Sequence, residues 1–516
     1  MSSKSQLQEL VGRYHGAGRF IVVSNREPFV HDRQRGRVIC TEPAGGVTSA
    51  LNPLLNWCSG VWIAHGSGTA DRDMVDRNSR VLVPPDHPAY TLRRVWITEK
   101  LQQEYYSGLA NQGLWPLCHS VYQRPRFSPV EWDSYRQVNE IFARAVLEEA
   151  GDEPGTVFIQ DYHFALLPRM LKARNPRLAV AHFWHIPWPS PETFSAFPWK
   201  DELLEGLLGN DLLGFQLKQH CANFLHSVDQ TNGARIDKKH RRVFGSANVT
   251  TVRPFPIGID FDSHCEIADS PQTDAAMEAW KRRIGPDIQL GIGIDRMDYT
   301  KGIPERIRAL DLFFQRHPDW REKLVFVQVG VPSRSDIPEY RLLANEINEQ
   351  ITAVNTRWRT ARWQPIQFLA ENLPPEEMIA LHRLGSFCLV TPLHDGMNLV
   401  AKEFIASRSD LDGVLVLSRF AGASVELDSA VLVNPFSEDE IAEGIWTALS
   451  LCQAERRIRM SRMRAVVQAN NIYRWAVDIL SALDHTHSAR TGGRRAWVSE
   501  AEQSTGAAGL TEVSFA

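Results

Sequence analysis

Short apolar runs recur along the chain, each closed by Gly, Pro, Asn or Asp. In the first half they are RFIVVSNR, GVWIAHGS, TVFIQDYH, LAVAHFWHIP and DLLGFQ. In the second they are IQLGIGIDR, KLVFVQVG, PIQFLAE, FCLVTPLHDG, GVLVLSRF and AVLVNPF. Most are apolar at every position rather than at alternate ones, as expected of strands covered on both faces. Longer segments of helical periodicity lie between them, such as PERIRALDLFFQRHP and PEYRLLANEINEQITAVNTRW. Strands alternating with helices predict an α/β fold built on parallel sheets. Eleven or more strands are too many for one twisted open sheet, so the pattern predicts two sheets in two domains. The joint is expected in VRPFPIGIDFDSH, rich in Pro, Gly and Asp, after which a fresh helix-then-strand pattern begins. The expected division is an N-terminal extension (1–18), a first Rossmann-like domain (19–258), a second with terminal helices (259–485), and a small, polar tail (486–516) expected to lack order.

Charge narrows the function. Lys plus Arg number 57 and Asp plus Glu 61, a formal net charge of -4, which gives no support to nucleic-acid or anionic-membrane binding. The seven cysteines form no C-x-x-C pair and are odd in number, which reads as reduced thiols and a cytoplasmic location. The N-terminal MSSKSQLQELVGRYHGAG lacks an apolar core of signal-peptide length. No stretch approaches the ~18 apolar residues of a membrane span. Nothing in these features fixes the oligomeric state, and a homo-oligomer stays open.

In open α/β sheets, ligands sit outside the carboxyl ends of the strands. Here those ends carry Ser24-Asn25-Arg26, Asp161-Tyr162-His163, His185, Asp295-Arg296 and His394-Asp395-Gly396, with Lys301 and Arg334 in loops just beyond. Singly, each is an ordinary helix cap or surface ion pair; their concentration in both halves points to a site. Common cofactor motifs fail. HGSGTAD has Asp71 where a third Gly belongs, GIGIDR ends on Arg296, and there is no G-K-[ST]. His182 and His185 point to opposite faces of a strand, so His182 reads as structural and no zinc or iron site is expected. No cofactor is implied.

The stretch HDGMNLVAKEF, 394–404, reads as a strand end, a Gly turn and a helix start. Free N–H groups near Asn398, Leu399 and Val400 suit a phosphate. Arg296 and Lys301 would add two full charges, Glu403 could accept from ribose hydroxyls, and Asp395 could meet the group beyond a diphosphate. These features describe a nucleotide-sugar site. Lys402 and Glu403 both stand where a ligand would approach.

The motifs VSNR, AGG, EYY…LWP, QDYH, WHIPWP, NDLLGFQ, RPFPIGID, DRMDYTKGIPER, PSRSD, HDGMNLVAKEF and LSRFAGASVEL run in this order from about residue 20 to 485. With them the chain resembles the trehalose-6-phosphate synthases, retaining glycosyltransferases of the two-domain GT-B type. The resemblance implies two Rossmann-like domains facing each other across a cleft. It also implies glucose transfer from a nucleoside-diphosphate glucose, UDP-glucose foremost, to glucose 6-phosphate, giving α,α-trehalose 6-phosphate. By matching motif, Asp161, His185, Arg296, Lys301 and Asp395 would be catalytic. Gly45, Gly46, Gly396, Met397, Asn398, Leu399, Val400 and Glu403 would join His185, Arg296, Lys301 and Asp395 in binding the donor. Arg26, Tyr106, Trp115, Asp161 and Arg334 would bind the acceptor, and no metal would be needed. The sequence departs from the family at Gln160, where His is usual, at His394, where Arg is common, and in SNREPF. A related enzyme using glycerol 3-phosphate and a non-catalytic sugar-phosphate sensor remain as alternatives, and the donor base stays open among UDP, ADP and GDP.

Overall fold

The structure is a computed structural model that describes residues 3–12, 20–42, 51–52, 54–57, 59–245, 248–285 and 287–486. The expectations for Gly45, Gly46 and the tail from residue 487 onward fall outside those residues. Each of the eleven apolar runs contains a strand, and all eleven enter parallel pairings.

Among the described residues the strands form two large sheets and a small hairpin. The second sheet runs, in spatial order, Ile366–Leu369, Leu324–Val331, Gln289–Arg296, Phe387–Val390, Val414–Ser418, Val431–Val433. Counted from its own first strand this is the order 3-2-1-4-5-6, fully parallel, of doubly wound nucleotide-binding folds. The chain reverses direction between Gln289–Arg296 and Phe387–Val390, so the loops after those two strands flank a crevice. One of them ends on Arg296; the other leads to Asp395.

The first sheet has a parallel middle of Val249–Pro254, Leu212–Phe215, Ala179–Trp184, Thr156–Gln160, Phe20–Val23, Val61–His65 and Tyr90–Val95. Antiparallel strands Arg80–Val83 at one edge, and Arg235–Asp237 with Arg242–Phe244 at the other, were not expected from the sequence. They are only three or four residues long, each opens on an exposed or half-exposed Arg, and none is covered on both faces, so they lack the longer apolar signal of covered strands. Here the reversal falls between Thr156–Gln160 and Phe20–Val23, so the loops that follow these strands, with Asp161 and Arg26, open on one crevice. One core lies on one face of this sheet, among Trp132, Tyr135, Phe142 and Leu203. The other face shares a continuous core with the second sheet.

The chain crosses between the units twice. The first crossing is Phe255–Asp260, and Gly258 there lies so close to the second crossing that an added Cβ would sit 2.1 Å from the Asn470 carbonyl oxygen. After Asn471 a helix at 472–486 runs back onto the first sheet. Its Trp475 packs on Phe158 and Phe183 at ring distances of 5.9 and 5.1 Å. We propose that this helix be counted with the first unit, and that 258/259 marks only the first of the two crossings. The N-terminal helix Ser3–Gly12 buries Leu7, Leu10 and Val11 and sets Lys4 over the Tyr473 ring.

Candidate active site

A cavity of about 380 Å³ lies between the carboxyl ends of the two sheets. Its walls include Arg26, Tyr106, Trp115, Asp161 and His185 from the first unit, and Arg296, Lys301, Arg334, Asp395, Met397–Val400 and Glu403 from the second. Every predicted site residue within the described chain lines it except Gly396 and Lys402.

Gly396 has another job. A Cβ on it would lie 2.4 Å from the His185 carbonyl oxygen, and one on Gly422 would lie 2.0 Å from the Gly396 carbonyl oxygen. Glycine here lets backbone from both units and from the next loop stack without side chains between them. The left-handed residue of the turn is Asn398, at φ +77°. Its Oδ1 accepts from the Ala401 N–H at 3.2 Å and caps the helix Leu399–Ser407. The N–H groups of Leu399 and Val400, one and two residues into that helix, lie at its positive end.

Asp395 is held by three donors: the Lys301 ammonium, the Asn398 amide at 3.2 Å and the Met397 N–H at 3.4 Å. Burial pushes its carboxyl up, but the Lys301 charge and hydrogen bond overcome that and hold it below the usual range. It is therefore an ionised acceptor, not an acid. Glu403, one turn into the helix, differs. Burial raises its carboxyl, the His264 charge only partly opposing this, and no described residue donates to it. Lys402 does not approach the cavity, contrary to expectation. Its ammonium is buried against Glu426 Oε2 at 2.6 Å and the Ile257 carbonyl at 2.7 Å, tying the helix to the first crossing.

On the acceptor side, Tyr106 rides on Gln103–Leu114, a stretch wound as a π-helix. The wide turn has visible causes: Asn111 Nδ2 donates to the Tyr106 carbonyl at 2.7 Å, and Gln112 Nε2 to the Ser107 carbonyl at 3.0 Å, each five residues back. Tyr162 Oη in turn donates to Asn111 Oδ1. Such windings concentrate at functional sites. Burial raises the Tyr106 phenol, but Arg334 and Arg26 beside it bring it down to about 8. Arg334, at φ +50°, stacks 4.2 Å over Trp115 and donates to Asp298 Oδ2 at 3.0 Å and Tyr340 Oη at 2.5 Å. Arg296 lies 5.9 Å from the same Trp115 ring. Arg334 Nε and Trp115 Nε1 are buried donors without an acceptor among the described residues. Two such orphans beside one another fit an anionic ligand.

Asp161 lines the same cavity at φ +69°, ψ 175°, a conformation costly to a non-glycine residue. Its Oδ1 accepts from the N–H groups of Tyr162 at 3.0 Å and His185 at 3.4 Å. Burial nevertheless raises its carboxyl to about 6. A folded value above the unfolded one contributes stability below the unfolded pKa and loses it as pH rises through about 6. Ionised Asp161 therefore costs about 1–3 kcal/mol at neutral pH, toward the lower figure because the carboxyl partly faces the cavity. Asp161→Asn should melt higher than the parent at about pH 8, the gain fading toward about pH 4. Thermal melts that show no pH-dependent difference would mean that the carboxylate is fully compensated.

Sequence reasoning missed several groups. Asp298, inside DRMDYTKG, caps the Tyr299–Lys301 turn through the Thr300 N–H and anchors Arg334. His119 lines the cavity, 4.2 Å from Trp115, and its carbonyl bonds His394 Nδ1 at 2.5 Å; the histidine at the unusual position thus bridges the units. Gln160 and Tyr162 lay in a quoted motif, next to the residue chosen. His182 bonds the Asp161 carbonyl through Nε2 at 2.8 Å, the structural role expected of it.

The profile of glycosyltransferase family 20 matches residues 18–485. A trehalose-6-phosphate synthase from Mycobacterium marinum is 36% identical over 476 residues, covering 91% of this chain and 94% of the relative. The E. coli trehalose-6-phosphate structure bound with UDP-2-fluoro glucose superposes with a TM-score of 0.81 at 30% identity, covering 90% of this chain and 99% of the other. A UDP-forming α,α-trehalose-phosphate synthase from Burkholderia xenovorans, in complex with glucose-6-phosphate, gives 0.82 at 28% identity, covering 90% and 100%.

Proposed function

Because the chain belongs to glycosyltransferase family 20, with the GT-B architecture of two Rossmann-like units, we propose that it transfers glucose from UDP-glucose to glucose 6-phosphate. The product is α,α-trehalose 6-phosphate, with the anomeric configuration of the donor retained. One observation carries this reading: a single cavity between the units is lined by four cationic side chains, more than one phosphate group requires. Arg26 comes from the first unit and Arg296, Lys301 and Arg334 from the second, and the start of the helix Leu399–Ser407, Asp161, His185 and Asp395 line the same space. Two anions with a polar sugar-sized space between them suit a nucleotide sugar facing a sugar phosphate.

In this reading the donor diphosphate lies on Arg296, Lys301 and the N–H groups of Leu399 and Val400. Charge develops on that diphosphate as its bond to the glucose anomeric carbon breaks. Preorganised cations and N–H groups lower the barrier because they need not reorient. The acceptor hydroxyl attacks the same face, and its proton passes to the departing phosphate oxygen. Asp395 accepts from donor glucose hydroxyls; it is too firmly ionised beside Lys301 to act as an acid. Asp161 orients the acceptor sugar, and Arg26, Tyr106 and Arg334 take its phosphate. Charge-assisted, forked contacts of this kind discriminate a phosphorylated acceptor from a neutral one. The cytoplasm is the proposed location, supported by an odd number of cysteines with no C-x-x-C spacing.

The test is a grid of UDP-, ADP- and GDP-glucose against glucose 6-phosphate and glycerol 3-phosphate, with product identified by mass and anomeric configuration by NMR. Trehalose 6-phosphate should form, with stoichiometric nucleoside diphosphate. Product only from glycerol 3-phosphate would replace the acceptor, and binding without nucleotide release would make the protein a sensor.

Glu403 supplies a sharper check on the donor. Its carboxylate lines the cavity and has no donor among the described residues, so ribose hydroxyls are its proposed partners. Glu403→Ala should weaken UDP and UDP-glucose alike by about 10- to 100-fold, the worth of a charge-assisted hydrogen bond. Calorimetric affinities equal to those of the parent would remove Glu403 from the site.

A further inference from the structure

Gln160 closes the strand Thr156–Gln160 and is 1% exposed, yet it lines the cavity. Its Oε1 lies 2.9 Å from His185 Nε2, while its own Nε2 is buried without a partner among the described residues. Strand register sets Gln160 opposite Phe183 and His182 opposite Ile159. Phe183 packs against the His185 ring at 4.6 Å. Gln160, Phe183 and His185 therefore share one face, and His182, on the other, is not available to the free amide. Burial keeps the His185 ring neutral, its pKa lowered to about 3. A neutral imidazole carries one N–H, and an amide oxygen can only accept. With that contact in place, the proton is on Nε2.

We propose that Gln160 is a positioning residue for the transfer reaction: its amide oxygen fixes His185 as the Nε2–H tautomer, so that Nδ1 is the lone pair offered to a sugar hydroxyl, and its free amide N–H₂ donates to the same sugar. The pair then presents one acceptor and one donor, the complement of adjacent hydroxyls on a hexose. Without the oxygen, the ring would divide between two tautomers and offer a donor where an acceptor is needed. The proposal rests on the reading of His185 as a donor-glucose contact.

The test uses the full chain labelled with ¹⁵N-histidine. The parent should give the Nε2–H signature for His185, assigned by its loss in His185→Ala, with or without UDP-glucose. Gln160→Leu should lose that signature, and kcat/KM for UDP-glucose should fall about tenfold. Gln160→Glu keeps an acceptor oxygen but no amide donor; it should retain the signature while remaining slow. An Nδ1–H parent, or the same His185 signature in all three proteins, would overturn the proposal. The tautomer is read without turnover, so a failure of the proposed glucosyl transfer would appear separately, as inactivity of a parent whose His185 is correctly set. If Gln160→Leu does not fold, the parent spectrum and Gln160→Glu still decide.

Discussion

Lys301→Ala lowers turnover at least ~100-fold, the scale of removing a preorganised group that meets developing charge. The loss has two parts. The departing diphosphate loses a cation, and Asp395 loses the partner that holds its carboxyl down. Burial is the largest influence on that carboxyl, so without Lys301 it rises, and the variant should lose further activity as pH falls in a range where the parent does not. In the folded parent the depressed Asp395 contributes stability above its unfolded pKa and loses it only as pH falls through its lower folded value; the variant should lack that acid-side loss. Arg296→Ala should show the same fall in turnover without the added pH dependence, because Arg296 makes no ion pair with Asp395. Steady-state rates across pH for both variants decide this, and identical profiles would separate Asp395 from Lys301. With two fixed cations at the leaving group, a chelator should leave the parent rate unchanged; abolished activity would point to metal-assisted departure.

Arg334→Ala should raise KM for glucose 6-phosphate by about 10- to 100-fold while hardly moving donor affinity, since one charge-assisted contact to phosphate is worth roughly 1.5–3 kcal/mol. The geometry adds a second consequence. Arg334 neutralises Asp298, whose side chain is 0% exposed, so the variant leaves a buried carboxylate unpaired and should lose about 3–5 kcal/mol of stability. Asp298 keeps its Thr300 N–H and hydroxyl donors in the variant, so the turn that carries Lys301 stays capped. Free glucose separates the two effects. It offers no phosphate, so a variant damaged only in phosphate binding should use glucose as poorly as the parent does. An equal proportional loss on both acceptors would reduce Arg334 to an architectural ion pair.

Eleven strands of the two sheets were legible because they are covered on two faces, which favours apolar runs such as FIVV, AVAHFW and LVFVQVGV, whereas Tyr90–Val95, Val249–Pro254 and the antiparallel edge strands were not. The hairpin Val30–Gln34 with Arg37–Thr41 was not, because it is largely exposed and polar. At the site, charge at strand ends found Arg26, Asp161, Arg296, Lys301, Arg334 and Asp395, since topology alone brings those positions to the crevice. It misassigned Lys402, because helix phase near a cap is set by which side packs, here against Glu426 and Ile257. The π-winding before Trp115 depends on amide contacts five residues apart, a spacing no ordinary helical period exposes. The role of Gly396 depends on a backbone contact with the other half of the chain, more than two hundred residues away.

The return of helix 472–486 to the first sheet bears on how the protein is made. Phe158 and Phe183 are translated early, but Trp475, which covers them, leaves the ribosome only after the whole second unit. At 5–20 residues per second, the roughly 290 residues between Phe183 and Trp475 hold that apolar face open for about 15–60 s. The first unit cannot finish folding on its own timetable. A nonsense codon or proteolytic cut ahead of Trp475 would strand an almost complete polypeptide with an uncovered aromatic face, a substrate for chaperones and proteases rather than a smaller enzyme.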